Sequence, residues 1–187
     1  MLALSGIRKL YSHANPPRRL DLASTGLLGV RVTRLEAFTR QFTERLNSLC
    51  KVRVKEAQDG DRILPGHALL APGGHHMAVA RRGAEYAVHV YRGERVNRHL
   101  PSVDVLFSSC ARSMGKNALG ALLTGMGADG AKGMLEMKQA GAFNIAQDES
   151  TSVVFGMPRE AILLNAVDRV LPLDQIPRAL LERLAVA

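Results

Sequence analysis

The residues with the clearest capacity for chemistry lie in Leu123-Thr124-Gly125-Met126-Gly127-Ala128-Asp129-Gly130, where Asp129 is the only acid in a glycine-rich loop. Upstream, Ala118 to Leu123 is wholly apolar, as a parallel strand buried on both faces requires. Downstream, Ala131 to Ala140 fits a helix, with Gly141 where a C′ glycine belongs. A loop between a buried strand and a helix N-terminus is where α/β proteins hold ligands and catalytic groups.

Taken alone, the loop admits a bland reading and a functional one. In the bland reading Asp129 is a helix N-cap whose carboxylate accepts backbone N–H bonds, and the glycines only turn the chain. In the other, Gly125 to Gly130 is the G-x-G-x-x-G of a dinucleotide site, with Asp148 and Glu149 following the next strand. Against this second reading, only 57 residues follow Gly130, too few for two mononucleotide-binding halves.

A wider pattern carries a more specific reading. Leu123 to Met134 (L-T-G-M-G-A-D-G-A-K-G-M) is followed by A-Q-D-E-S-T-S-V-V-F-G-M-P-R-E-A-I at Ala146 to Ile162. Upstream stand F-T-R-Q-F-T-E-R-L-N from Phe38, V-K-E-A-Q-D-G-D-R-I-L-P-G-H-A from Val54, A-P-G-G-H-H-M from Ala71 and V-N-R-H-L-P-S-V-D-V-L-F from Val96. In this order the segments resemble the CheB-type protein-glutamate methylesterase domain, over roughly Phe38 to the C-terminus.

The resemblance implies hydrolysis of γ-glutamyl methyl esters on bacterial chemotaxis receptors, with related glutamine deamidation, by a Ser-His-Asp triad at the C-terminal edge of a mostly parallel sheet. Asp129 takes the place of the triad acid, which holds the imidazole in one tautomer and stabilises the imidazolium. Met126 and Gly127 lie beside the site, as do His76 and Met77 of A-P-G-G-H-H-M. No cofactor and no metal are implied. Expected partners are methylated receptors rather than nucleic acid or a membrane, for a cytoplasmic protein acting as a monomer.

The serine and the histidine depart from the family pattern. The family opens with a strand ending G-A-S-T-G-G, whose serine is the nucleophile, and reaches its basic histidine in Q-H-M-P shortly before the equivalent of Phe38. Here Thr33 stands at that histidine position, and no histidine lies between His13 and His67. Ala23-Ser24-Thr25-Gly26 resembles the serine motif, with Leu27 in place of its second glycine, which makes Ser24 the candidate nucleophile and Thr25 its neighbour, although an ordinary loop or helix-cap serine is the stronger reading. Eight residues separate Ser24 from Thr33, whereas neighbouring parallel strands need a crossover of about a dozen or more. A serine without an adjacent base is a weak nucleophile, so the sequence leads to an expectation of near-background hydrolysis. The alternative is a non-catalytic methylesterase-like remnant or a receptor-binding module.

The other histidines are weighed one by one. His76 is the substitute base that sequence alone can offer. His67 reads as a packed loop residue and His75 as solvent-facing. His99, in V-N-R-H, has no role derivable from sequence.

The elements that must position these groups read clearly from Phe38 onward. Phe42, Leu46 and Leu49 mark one helix face, and Val103, Leu106, Phe107, Cys110 and Met114 another. Strands are expected at Val52–Ala57, Ala68–Ala71, Ala142–Ala146 and Val170–Leu173, with a hairpin of Met77–Arg81 and Tyr86–Tyr91 across Gly83. Pro158 suits the first turn of a helix, and Asp174 could cap the last one. Alternating helices and strands imply a three-layer α/β/α sandwich with a mostly parallel, Rossmann-like sheet plus the antiparallel hairpin.

Residues 1–37 read differently, with six Arg or Lys against two acids and no clean apolar period. They are expected to form an atypical segment, disordered or rearranged, ahead of a methylesterase domain at 38–187 with no receiver domain. Cys50 and Cys110 are expected to be reduced, buried thiols. The net charge of +8 over 187 residues suits an acidic partner, and with aromatics at 4% and no recognised motif nucleic acid is the weaker choice.

Overall fold

In the computed structural model the backbone is described for residues 2–5, 27–30 and 36–186, and the side chains for 39–185. Among these residues, seven strands form one sheet: β1 Leu2–Ser5, β2 Leu27–Val30, β3 Arg53–Glu56, β4 His67–Leu70, β7 Leu119–Leu122, β8 Phe143–Gln147 and β9 Arg169–Leu171. Their order is β3-β4-β2-β1-β7-β8-β9 and every neighbouring pair is parallel. β5 His76–Arg82 and β6 Glu85–Tyr91 make a separate antiparallel hairpin, turned at Gly83 with φ +63°.

Both faces of the sheet are covered, and the strand alternation shows it. Ala68 and Leu70 of β4, with Leu119, Ala121 and Leu123 at β7, face a core completed by α1 Glu36–Leu49 and α5 Ile176–Val186. Leu69 and Leu122 face the other core, built by α2 Val103–Met114, α3 Ala131–Gln139, α4 Met157–Leu163 and the hairpin. The α/β sandwich and the hairpin are therefore as the sequence implies. Val103, Leu106, Phe107, Cys110 and Met114 are all buried, so the expected stripe is the inner face of α2. Each such apolar side chain contributes about 1.5–3 kcal/mol on burial.

Local signals also hold. The Gly141 N–H donates to the Lys138 carbonyl and the Ala142 N–H to the Met137 carbonyl, with Gly141 at φ +86°, which is the Schellman closure of α3. Cys110 is fully buried, and burial pushes its thiol up to about 12. Cys50 is only half-buried, because it follows the last residue of α1 and the helix face turns outward there, with Leu49 exposed.

The stretch that sequence sets apart before Phe38 supplies β1 and β2, which sit inside the sheet between β4 and β7. Runs of four residues, L-A-L-S and L-L-G-V, are too short for an apolar period to register. The crossover between them spans 21 residues, from Ser5 to Leu27, which satisfies the length a parallel connection needs. The rest of residues 1–35 lies outside the described residues.

Gly130 shows how tightly the loop after β7 is seated. Its φ is +94°, and a Cβ there would stand 2.7 Å from Val103 Cγ1 and 2.9 Å from Leu122 Cδ1. Gly130→Ala is expected to destabilise the fold by about 2–4 kcal/mol, from left-handed strain plus overpacking. Chemical denaturation of the two proteins measures it.

Candidate functional site

The site grows from the C-terminal end of β7. After Leu122 the chain leaves the sheet, and Thr124 to Gly127 are pinned by the loop after β8. The Thr124 N–H donates to Gln147 Oε1 at 2.9 Å, the Thr124 hydroxyl to the Val154 carbonyl at 3.0 Å, and the Met157 N–H to the Gly125 carbonyl at 2.8 Å. Gly125 and Gly156 are required by this approach, since a Cβ on Gly125 would lie 2.2 Å from Met157 Sδ and one on Gly156 2.7 Å from the Gly125 carbonyl oxygen. Met126 is left outside at 81% exposure, and Gly127, φ +89°, has open space around it.

Asp129 then turns inward and is completely buried. It does not cap its own helix: α3 starts from Gly130 without a side-chain cap. It caps α2 instead. Oδ2 accepts from the Val103 N–H at 2.8 Å, and Oδ1 from the Asp104 N–H at 3.2 Å, the Ser102 hydroxyl at 2.6 Å and Asn97 Nδ2 at 3.0 Å. A negative charge is favoured at a helix N-terminus, where unpaired N–H groups converge. The cap reading thus fails for the helix that follows Asp129, and the carboxylate takes its backbone N–H bonds from the start of α2 instead.

A second carboxylate stands beside it. Asp104 Oδ1 accepts from the Gly133 N–H at 2.7 Å and Oδ2 from Asn97 Nδ2 at 2.6 Å, so Asn97 bridges the two acids. Desolvation, and then the neighbouring Asp129 charge, raise the Asp104 pKa above the usual carboxylate value. These acids also answer the dinucleotide reading. The α3 N-terminus that would receive a pyrophosphate already gives its Gly133 N–H to Asp104, and Asp129 adds a further negative charge there.

His76 is buried with both ring nitrogens engaged: the Ser102 N–H reaches Nδ1 at 3.3 Å, and Nε2 lies 2.8 Å from the Glu94 carbonyl. A carbonyl only accepts, so Nε2 carries the proton and Nδ1 receives the amide. Such a ring is a strut between β5 and the start of α2, with no free nitrogen to act as a base. Met77 is fully buried in the core between the hairpin and α2, away from any solvent-facing lining. His67, at the start of β4, is 2.9 Å from the Pro65 carbonyl, and half-buried His75 is 3.2 Å from the Gly73 carbonyl.

Ser24, Thr25 and Thr33 lie outside the described residues. The strand that follows Ser24 begins at Leu27, in register with Leu2, and Leu2 is in register with Leu119. That is the edge of the sheet opposite to the Asp129 loop. β1 ends on the Asp129 side, at Ser5, one residue beyond the Leu4–Ala121 pair.

Sequence reasoning missed Asn97, Ser102 and Asp104, which complete the Asp129 shell, and the place of His99. His99 Nδ1 is buried, has no hydrogen-bond partner, and stands 3.7 Å from Asp129 Oδ2. The V-N-R-H-L-P-S-V-D segment was visible as a motif, but its roles depend on a chain reversal at Asn97 and Arg98, φ +51° and +67°, and on the mutual Val96–His99 backbone bonds. Among the described residues no cluster of His, Cys, Asp and Glu has a metal-binding arrangement, and no helix is long and apolar enough to cross a membrane.

Comparison with known proteins agrees with the fold. Residues 23–180 match the family described as CheB methylesterase. The chain is 63% identical over 146 residues to a protein-glutamate methylesterase/protein-glutamine glutaminase of Rhizobium johnstonii, covering 78% of this chain and 40% of that protein. A protein of the same name from Nitrosomonas europaea is 59% identical over 152 residues, covering 81% of this chain and 42% of its own length. The chain thus spans about two fifths of these relatives. The crystal structure of the CheB methylesterase catalytic domain of Thermotoga maritima superposes with a TM-score of 0.85 at 30% identity, covering 97% of this chain and 95% of that one.

Two outcomes follow from the carboxylate pair. Asp129→Ala strands four donors, one of them a hydroxyl that can turn, and is expected to cost about 2–4 kcal/mol in urea unfolding. Asp104, with its pKa raised on folding, binds its proton more tightly in the native than in the unfolded state. Its contribution to stability is therefore fully present below the unfolded pKa and is lost as pH rises through the folded one. Asp104→Asn is expected to flatten that part of the stability–pH curve, measured by denaturation at a series of pH values from ~4 upward.

Proposed function

Because this chain belongs to the CheB methylesterase family, we propose that it hydrolyses γ-glutamyl methyl esters on chemotaxis receptors, releasing methanol, and deamidates receptor glutamines. The observation that carries this reading is the buried Asp129 carboxylate, fixed by four donors at the C-terminal edge of the sheet. A carboxylate held that firmly is suited to orienting an imidazole and stabilising its protonated form during acyl transfer. The net charge of +8 favours approach to an acidic receptor surface. The protein acts in the cytoplasm, as a monomer, without cofactor.

The nucleophile comes from a serine before Phe38. Ser24 has the motif in its favour, in A-S-T-G. Ser5 has its position in its favour, at the end of the first strand and on the sheet edge of the Asp129 loop. The family serine follows the first strand, and that correspondence supports Ser5. Met126 and Gly127, on the exposed part of the loop, are in position to line the approach of the substrate.

The second reading, a receptor-binding module without turnover, draws on one observation: no histidine lies between His13 and His67, the stretch before Phe38 where the resemblance expects the basic histidine. Methanol release from a methyl-esterified receptor fragment separates the two. The hydrolase reading expects measurable release, reduced roughly a hundredfold or more in Ser5→Ala and little changed in Ser24→Ala. Receptor binding with no methanol release, under single-turnover conditions, would favour the module.

A further inference from the structure

We propose that His99 is the general base of this chain, in place of the missing family histidine, paired with Asp129 through Nδ1; the inference rests on the hydrolase reading and deepens it. Four observations converge on it. Nδ1 of His99 is buried with no hydrogen-bond partner, and an orphaned buried donor is costly enough that native structures rarely keep one without use. It lies 3.7 Å from Asp129 Oδ2, close enough for a shift of ~1 Å to make a hydrogen bond. Oδ2 has room for it among the described residues, since a carboxylate oxygen offers about two acceptor sites and of these residues only the Val103 N–H occupies one, whereas Oδ1 already receives three donors. The imidazole is 27% exposed although Asp129 is wholly buried, so the ring spans from the acid to solvent, as a base between an orienting carboxylate and a substrate must.

The other described histidines do not compete. His76 has both nitrogens committed, His67 and His75 face backbone carbonyls of their own loops, and His89 is held 2.8 Å from Asp59 on the exposed side of the hairpin. The loop that carries His99 is built for position rather than for economy. Two successive non-glycine residues, Asn97 and Arg98, take left-handed φ angles, and Asn97 is bound to both Asp104 and Asp129. Left-handed non-glycine residues of this kind cluster at functional sites. Catalytic hydrogen bonds in a ligand-free site are often long and tighten when substrate binds.

The chemistry balances with these groups alone. Nε2 accepts the serine hydroxyl proton as the serine oxygen bonds to the ester carbonyl carbon. The tetrahedral intermediate collapses, the bond to the methoxy oxygen breaks, and the imidazolium returns the proton to that oxygen, giving methanol and an acyl-serine. Water then gives a proton to Nε2 and attacks the acyl carbon, the serine leaves with that proton, and the receptor's γ-carboxylic acid so formed loses its own proton to solvent to give the γ-carboxylate. Throughout, Nδ1–H points at Asp129.

The test uses the full chain with two readouts: methanol release from a methyl-esterified receptor fragment, and labelling of the active serine by a fluorophosphonate probe. His99→Ala is expected to lower kcat by about 10²–10⁴-fold with KM within a few-fold, and to slow labelling in parallel. Added imidazole is expected to recover part of the rate, which a purely structural role would not allow. His89→Gln, exposed on the hairpin, serves as a control expected to match the parent. A His99→Ala rate within threefold of the parent overturns the assignment, as does a loss that imidazole does not recover. If the parent labels with the probe but releases no methanol, the substrate reading fails while loss of labelling in His99→Ala still supports the base. A parent that neither labels nor releases methanol overturns both.

Discussion

The capping of α2 by Asp129 is the interaction on which the rest of this site depends. A helix packed against a sheet by its apolar face brings unpaired N–H groups to one end, and burial denies them water. Here the acceptor comes from a loop 25 residues further along the chain, after the neighbouring strand β7. One carboxylate therefore fixes the start of α2, the exit of β7 and the hydroxyl of Ser102 together. His76 extends the same network to the hairpin through the Ser102 N–H, and Asp104 extends it to α3 through Gly133.

In the proposed reaction that dependence links stability to function. A group free to rotate would satisfy the donors in several ways and would orient an imidazole poorly. Four donors among the described residues hold Asp129 in one geometry, and Oδ2, which takes one of them, stands 3.7 Å from His99 Nδ1. The glycines serve this end by close approach rather than by flexibility: Gly130 admits Val103 and Leu122, and Gly133 lies where a Cβ would meet the Asp104 carbonyl at 2.9 Å. The cost of the arrangement is a second buried acid, Asp104, whose ionisation burial opposes.

Much of this was legible beforehand. The apolar run at Ala118–Leu123, the stripe on Val103–Met114 and the Gly141 stop each encode a local preference that the fold keeps. The early strands were not legible, because L-A-L-S and L-L-G-V become strands only by pairing with β7 and β4, which are remote in sequence. Asn144 and Gln147 were hidden in the same way. They are polar residues inside a buried strand, with side chains committed to the Met134, Ala166 and Thr151 carbonyls.

By itself the sequence determined the α/β class, the family pattern, the loop that bears the acid and the absence of a histidine between His13 and His67, since each is written in residue type and local spacing. Only the tertiary structure decided which helix Asp129 caps, that His76 is tied down on both nitrogens, and that His99 stands beside the carboxylate. The reason is physical. Hydrogen-bond partnership depends on distances between segments that the chain brings together only when the sheet closes and buries its two faces, and no local periodicity carries that information.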